Sequence, residues 1–259
     1  MSNKRKGNGM PKSVVQGTRI LGRASGNSAL LFGTSKAENG SIVIPEGPLE
    51  QTVLHLADLD PRVLSVRCQP FTIDIVTGKI YEDRQDLLND RALRHKPEIK
   101  IREYTPDVLF SLDYGKKLVA EVKDPRFMGD EQYKNKVDRA AEILLANGYP
   151  FSYITMLYEE SNPLVQNAKL LTQFAKTYVG FITDFQRVQL TEFLKTDSRT
   201  LGEVCNHLNI SLREAPILIL SGLVSIDLKS SRISAKSPVQ LANGDLQHLM
   251  LLPFDGSYS

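Results

Sequence analysis

The chain has 259 residues and a formal net charge of +2; 41% of its residues are hydrophobic and 24% are charged. This balance is typical of a globular protein and excludes a long disordered chain, and no apolar run approaches the ~20 residues that a spanning helix needs, so we expect no membrane association. The two cysteines, Cys68 and Cys205, lack metal-ligand spacing, which argues against a disulfide scaffold or a zinc site and leads us to expect a cytoplasmic protein.

Residues 1–44 predict a basic, flexible arm with little periodicity. Between Met1 and Lys36 the sequence contains seven basic residues and no acidic residue. Such a block repels itself, and a polyanion such as DNA would neutralise it. A solvated tail explains the same composition, so both interpretations stay open.

Residues 45–183 alternate helical and strand patterns and predict an α/β body. Pro48 suits the first position of a helix, whose apolar residues follow at helical spacing until Asp60-Pro61 ends it. The segments that follow are strands at 70–76 and 99–103, a hairpin of 108–112 and 118–122, a helix at 131–147, a strand at 151–158 and a helix at 164–178. This order predicts a mixed sheet covered by helices.

Three charged side chains fall on one face of the predicted hairpin. Asp107 precedes its first strand, and Glu121 and Lys123 end its second strand, where alternate side chains point to the same side. The three-residue loop 113–115 ends in glycine, which is a common hairpin connection. Counting back along both strands from this loop places Asp107 opposite Glu121, so two carboxylates and an ammonium meet.

This set of side chains suits hydrolysis of a phosphodiester with Mg²⁺, for which we expect Mn²⁺ to substitute. Mg²⁺ takes oxygen ligands, typically one or two carboxylates with waters and substrate phosphate, and it would polarise the phosphate and activate a water. We expect Asp107 and Glu121 to bind the metal and Lys123 to position the water or offset charge on the phosphate. Proton abstraction by Lys123 would need a large fall from a pKa of about 10.4, which adjacent carboxylates oppose. The bare pattern also arises by chance at the ends of ordinary strands.

Glu50 is a fourth candidate for this site. It lies in the first turn of the opening helix, beside the apolar stripe, where its carboxylate could face the sheet. A glutamate at this position is also favoured by the helix dipole and by capping preferences. From the residues alone, we prefer the capping interpretation.

Residues 184–259 predict a small, winged-helix-like domain. A helix at 185–195 precedes two Ser/Thr-x-x-Glu capping boxes, which predict helices starting after Thr200 and after Ser211, the second running to Ser221-Gly222. Strands at 223–228 and 232–234 are then predicted to flank a turn at 229–231.

The composition of the second of these helices bears on DNA recognition. Between Leu212 and Leu220 it contains one basic residue, Arg213, and is otherwise largely apolar, whereas a base-reading helix presents Arg, Lys, Asn or Gln. We therefore expect the domain to dock on a partner protein or to touch phosphates through Lys229 and Arg232, and these two alternatives stay open.

Three segments resemble the TnsA family, the endonuclease subunit of heteromeric bacterial transposases. They are Leu49-Glu50 with the stretch 63–71, the stretch 104–110 around Asp107, and the stretch 119–125 around Glu121 and Lys123. The resemblance implies a restriction-endonuclease-like core of the PD…ExK superfamily, in which Glu50, Asp107, Glu121 and Lys123 are catalytic and Glu50 joins Asp107 and Glu121 as a metal ligand. Some members carry Gln where this chain has Glu121.

The same resemblance implies a substrate and partners. It implies cleavage of double-stranded DNA at the 5′ ends of a transposon, a TnsB-type transposase that acts on the 3′ ends, a TnsC-type ATPase regulator, and association with the nucleoid. Two alternatives remain: a standalone restriction or repair nuclease with the same core, and a non-catalytic DNA-binding assembly factor.

Overall fold

The structure is a computed structural model that describes residues 13–16, 19–22, 32–34, 36–38, 42–93, 103–177, 182–195 and 198–254. Two compact units account for these residues. The first comprises the described parts of Met1–Gln51, Ser65–Lys123 and Phe127–Ile154, and the second those of Thr52–Leu64, Asp124–Arg126 and Thr155–Ser259. Within the described ranges, no helix combines the length and apolar character needed to cross a bilayer.

Helices and short strands alternate along the chain. The strands are β1 (Ser13–Gln16), β2 (Arg19–Gly22), β3 (Phe32–Gly33), β4 (Ile42–Val43), β5 (Val63–Cys68), β6 (Thr72–Asp74), β7 (Ile80–Tyr81), β8 (Glu103–Tyr104), β9 (Val108–Leu112), β10 (Lys117–Lys123), β11 (Phe151–Thr155), β12 (Arg199–Thr200), β13 (Val224–Ser225) and β14 (Pro238–Leu241). The helices are α1 (Pro48–Leu59), α2 (Arg84–Leu93), α3 (Glu131–Ala146), α4 (Pro163–Thr177), α5 (Asp184–Phe193), α6 (Leu201–His207) and α7 (Pro216–Leu220).

A four-stranded mixed sheet with the order β11-β10-β9-β5 forms the frame of the first unit, and a smaller sheet has the order β7-β6-β8. The buried core of this unit combines residues of both sheets, among them Ile73, Leu109 and Val119, with the apolar face of α3. That face recurs at helical spacing, as Val137, Ala140 and Leu144 show, because only one side of α3 meets the sheets. The α/β body with a mixed sheet is therefore confirmed.

Local signals explain the limits of α3. The side chain of Asp130 accepts a hydrogen bond from the backbone N–H of Tyr133 at 2.8 Å and so caps the first turn. At the other end, Gly148 has a φ of 78°, the left-handed conformation that commonly ends a helix. The predicted helix 131–147 is confirmed to within one residue.

The second unit contains a three-stranded sheet with the order β12-β14-β13 together with α5, α6 and α7. Capping boxes at Thr183 with Gln186 and at Thr200 with Glu203 start α5 and α6, so the predicted start of the latter is confirmed. The elements follow in the order helix, strand, two helices and two strands.

The predicted helix starting at Ser211 is wrong. Glu214 does reach back to the backbone N–H of Ser211 at 2.8 Å, but the segment it closes is a turn, and α7 starts only at Pro216. Proline lacks an N–H and its ring clashes with the carbonyl four residues earlier, so it is tolerated in the first turn of a helix and not in its interior. The helix can therefore begin at Pro216 but not run through it.

The predicted strand at 232–234 is also wrong: β14, at Pro238–Leu241, pairs with β13 instead. The buried side chain of Asn167, on α4, explains the difference. Its amide donates to the carbonyls of Leu228 and Ser231 at 3.0 and 2.8 Å, and its oxygen accepts from the N–H of Ile233 at 3.0 Å. Backbone groups engaged in this way are not available for a β ladder.

Three further predicted segments, 1–44, 70–76 and 99–103, differ from the structure or are only partly described. The described parts of 1–44 include two strand pairs, β1 with β2 and β3 with β4, although the sequence pattern predicts little regular structure there. Most of the remaining arm lies outside the described residues, so its role stays a prediction. The strand at 70–76 is shorter, because Asp74 accepts from the N–H of Val76 and closes a turn. Of the strand at 99–103, only Glu103 is described.

Candidate active site

The β9–β10 hairpin carries three of the four predicted catalytic residues. The pairs Lys117 with Ser111 and Ala120 with Val108 define its register, which continues by one step to place Asp107 opposite Glu121. The turn Asp113–Gly115 joins the strands, with the glycine at a φ of 72°. The predicted loop and the predicted register are confirmed.

Asp107 is almost fully buried at the start of β9. Its Oδ2 accepts a hydrogen bond from the backbone N–H of Val122 at 2.8 Å, which fixes the carboxylate against β10. Burial raises the pKa of Asp107 well above its ordinary value, and the charges of Glu121 and Glu50 add to the rise, while the Val122 hydrogen bond and Lys123 oppose it. No hydrogen bond from the described residues reaches Oδ1, which leaves that oxygen available to a cation.

Glu121 is held by three donors. The Tyr104 hydroxyl donates to Oε2 at 2.5 Å, the Tyr133 hydroxyl donates to Oε1, and the Lys123 ammonium lies 2.8 Å from Oε1. A carboxylate offers about four lone-pair positions, so Oε2 retains one. The two tyrosines were missed by sequence reasoning, because they come from β8 and α3 and no local pattern indicates that they meet Glu121.

Lys123 points toward the same carboxylate and lies 4.8 Å from the centre of the Tyr133 ring. Its burial alone would lower the pKa of the lysine, but hydrogen bonding to Glu121 and Tyr133 and the charge of Glu121 raise that pKa above its ordinary value. A lysine that holds its proton more firmly than usual is suited to stabilising negative charge rather than to accepting a proton.

Glu50 combines both interpretations that the sequence left open. Its Oε2 accepts a hydrogen bond from the backbone N–H of Glu46 at 2.8 Å, which satisfies a donor just before α1. The side chain also lines the same cavity as Asp107 and Glu121. Capping and participation in the site are therefore compatible at this position.

Gln69 joins Glu50 to the start of β9 and was also missed. Its backbone N–H donates to the carbonyl of Asp107 at 2.9 Å, and its side-chain amide lies 3.5 Å from Oε2 of Glu50. The residue is fully buried with a φ of 42°, a left-handed conformation that non-glycine residues rarely adopt. Such backbone strain clusters at functional sites, although a sequence alone does not reveal it.

All four predicted residues line one cavity of about 470 Å³ in the first unit. Its charged lining residues are Glu46, Glu50, Arg84, Arg91, Glu103, Asp107, Glu121, Lys123 and Lys136. In the part of the chain that is described, no three acidic, histidine or cysteine side chains are close enough together to form a ready-made metal site. The predicted ligand set of Asp107, Glu121 and Glu50 stays a prediction. The cavity brings carboxylates and ammonium groups together, which is the arrangement needed to hold a cation and a phosphate at once.

Comparison with known proteins agrees with this geometry. No match to the chain was found among curated proteins. Residues 60–156 match the family described as TnsA-like endonuclease N terminal, and this segment contains Asp107, Glu121 and Lys123. Over residues 60–156, the chain is therefore similar to the N-terminal domain of TnsA-like endonucleases.

Proposed function

We propose that this protein is the metal-dependent endonuclease subunit of a heteromeric transposase and cuts double-stranded DNA at the 5′ ends of the element. The observation that carries the proposal is the meeting of Asp107, Glu121 and Lys123 in one cavity of a TnsA-like domain, with Glu50 on its wall. The match of residues 60–156 to TnsA-like endonucleases supports nuclease activity in general, and the cavity supports the particular residues.

The donor set fits Mg²⁺. Asp107 and Glu121 each keep a carboxylate oxygen position open toward the cavity, and Mg²⁺ is usually held by one or two carboxylates while waters and substrate phosphate complete its shell. The raised pKa of Asp107 also reflects crowded negative charge that a cation would relieve. We propose Asp107 and Glu121 as the ligands, with Glu50 nearby. When bound, the metal supplies a polarised phosphate and an activated water.

The chain's own residues perform the remaining tasks. The hydroxyls of Tyr104 and Tyr133 orient Glu121, and the Val122 N–H orients Asp107, so both carboxylates are positioned before substrate arrives. Lys123 places a protonated amine beside Glu121, where it offsets negative charge that develops on the phosphate.

The second unit is proposed to be winged-helix-like and to contact partners. The order helix, strand, two helices and two strands supports this assignment, and α7 argues against base readout because it carries no basic or amide side chain. A TnsB-type transposase and a TnsC-type ATPase are the proposed partners, since they accompany TnsA-type subunits.

The test is cleavage of a transposon-end duplex, with and without the partner transposase, in Mg²⁺. Asp107→Asn should abolish cleavage while leaving the fold intact, and Lys123→Ala should retain Mg²⁺ binding but lose cleavage. Asp113→Asn, at the opposite end of the same hairpin, is the matched control and should cut normally. Full activity of Asp107→Asn would refute the catalytic assignment, and efficient cutting without any partner would favour a standalone nuclease.

A further inference from the structure

Lys136 is a cation on the cavity wall that is not one of the proposed catalytic residues. It lies on α3, one turn after Tyr133, and its side chain is half-buried. Its ammonium lies 5.1 Å from the centre of the Tyr133 ring and 5.8 Å from that of Tyr104. The two tyrosines that donate hydrogen bonds to Glu121 therefore also attract Lys136 through the faces of their rings. This cation–π interaction keeps the ammonium group at the cavity without a carboxylate partner.

Two other cations of the cavity, Arg91 and Lys123, differ from Lys136 in their partners. Arg91 forms an ion pair with Glu103, and Lys123 forms one with Glu121. Among the described residues, no carboxylate lies within ion-pair distance of Lys136, whose contacts are the two aromatic rings. Its positive charge is thus not neutralised by these residues, and it faces the space where a polyanion would enter.

The distances limit what Lys136 can reach. The ammonium nitrogens of Lys123 and Lys136 lie 4.8 and 5.1 Å from the centre of the same Tyr133 ring, so the two nitrogens are less than about 10 Å apart. If Lys123 contacts the scissile phosphate, Lys136 lies within reach of a phosphate close to it on the same strand.

We propose that Lys136 is a DNA-binding residue that contacts a backbone phosphate flanking the scissile one. The inference rests on the proposed nuclease function and adds a binding subsite to it. The contact carries no sequence information, because phosphates are alike at every base pair, and it fixes the position of the strand across Asp107 and Glu121. A strand fixed in this way presents one phosphodiester to the catalytic group.

Binding should be measured with full-length protein and an uncleaved transposon-end duplex, with Ca²⁺ in place of Mg²⁺, over a range of salt concentrations. Each phosphate contact contributes about −0.9 to the slope of log affinity against log salt, so Lys136→Ala should reduce the slope by about that amount. Lys136→Arg should restore it. Lys134→Ala is the matched control, because Lys134 is an exposed lysine of the same helix outside the cavity lining, and it should keep the wild-type slope.

A second measurement separates phosphate contact from an indirect effect through the tyrosines. The affinity is measured for a set of duplexes that each carry one neutral methylphosphonate at a different backbone position. Each neutral position should weaken binding by the wild type. At one position that flanks the scissile phosphate, the methylphosphonate should not weaken binding by Lys136→Ala, because the contact is already lost in this variant. The proposal would be overturned if every methylphosphonate weakened binding by Lys136→Ala as much as it weakens binding by the wild type, or if Lys136→Ala kept the wild-type salt slope. In either case, cleavage by the wild type would still support the nuclease function. Absence of salt-dependent DNA binding by the wild type would overturn both.

Discussion

The carboxylate of Glu121 receives two tyrosine hydroxyls that differ in their surroundings. Tyr104 is 3% exposed, whereas Tyr133 is half-buried on the cavity wall. Burial, followed by the charge of Glu121, raises the pKa of Tyr104, so its hydroxyl stays a proton donor at any pH at which the protein would be studied. Water can replace the hydroxyl of Tyr133 but not that of Tyr104.

Tyr104→Phe should therefore destabilise the protein more than Tyr133→Phe. Removing the buried donor leaves one lone-pair position of Glu121 Oε2 unsatisfied, which costs about 1–3 kcal/mol, whereas loss of a replaceable hydrogen bond costs about 0.5–1.5 kcal/mol. Urea unfolding of both variants measures the difference. Equal stability of Tyr104→Phe and the wild type would show that the hydroxyl does not hold this carboxylate.

Glu50→Gln separates the two roles of Glu50. Its amide oxygen can still accept from the N–H of Glu46, so stability should fall by no more than the ~0.3–1 kcal/mol of a helix-dipole interaction. Loss of the negative charge beside Asp107 should lower cleavage about 10–100-fold, as disturbed metal surroundings commonly do. Cleavage rates at saturating Mg²⁺ provide the measurement.

Glu131→Gln is the control for this substitution. Glu131 is likewise an acidic residue in the first turn of a helix, α3, but it is exposed and lies outside the cavity lining. It should match Glu50→Gln in stability and retain wild-type cleavage. Wild-type rates for Glu50→Gln as well would leave Glu50 with its capping role alone.

At the scale of elements, local sequence patterns were sufficient to predict the hairpin but not to predict which residues pack against it. The apolar alternation and the glycine of the turn are contained in the seventeen residues 107–123, and together they determine the face on which Asp107 and Glu121 lie. Tyr133 and Gln69 reach the site because α3 and the loop after β5 pack in particular positions. That packing depends on the whole core, and no short stretch of sequence specifies it.

The loop between β13 and β14 illustrates the same limit. Its residues read as a turn and a strand, but three hydrogen bonds from a single buried side chain, Asn167, more than sixty positions earlier, decide its course. Pro216, by contrast, was a local signal that outweighs the capping box before it, since proline restricts a helix more strongly than a cap favours one.

Asn167→Ala should destabilise the second unit by at least about 2 kcal/mol, because two carbonyls and one N–H lose partners at a buried position. Unfolding in urea and hydrogen exchange at Ile233 measure the effect. Leu170→Ala, an exposed position of the same helix, is the control and should change stability by less than about 1 kcal/mol. Unchanged exchange at Ile233 in Asn167→Ala would contradict this account of the loop.

At the scale of the molecule, the compact units do not follow the predicted boundary between residues 183 and 184. The part of α1 after Gln51 and the whole of α4 belong to the second unit. The sequence shows that α1 and α4 are amphipathic but not which apolar surface each one covers. The boundaries 1–44, 45–183 and 184–259 therefore remain a prediction about separately folding domains.

His55, on α1, should make stability depend on pH. Burial, with smaller contributions from Lys176 and Lys169, lowers its pKa from 6.5 to about 4. Between pH 6.5 and 4 the unfolded chain binds a proton at His55 that the folded chain does not bind. The free energy of unfolding is therefore at its full value above pH 6.5 and decreases as the pH falls toward 4. The loss amounts to at most about 3 kcal/mol, less where water screens the charge.

His55→Gln should flatten this part of the curve, as unfolding in urea at several pH values between 4 and 7 would show. The wild type must be compared with the variant, because the raised pKa of Asp107 acts in the opposite direction and favours the folded state as pH falls. The difference between the two curves isolates His55. A difference that does not change with pH would mean that His55 is protonated equally in both states.

The register of the β9–β10 hairpin also limits how this protein can evolve. Tyr114, in its turn, is 91% exposed and Gly115 has a φ of 72°, so apart from this glycine the sequence of the turn is free to vary. Its length is not, because inserting or deleting one residue would slip the pairing and turn Asp107 or Glu121 to the opposite face of the sheet. Homologous nucleases that keep this hairpin should therefore vary the exposed residues of the turn while conserving its glycine and its length, and a laboratory library at this turn should be diversified by substitution alone.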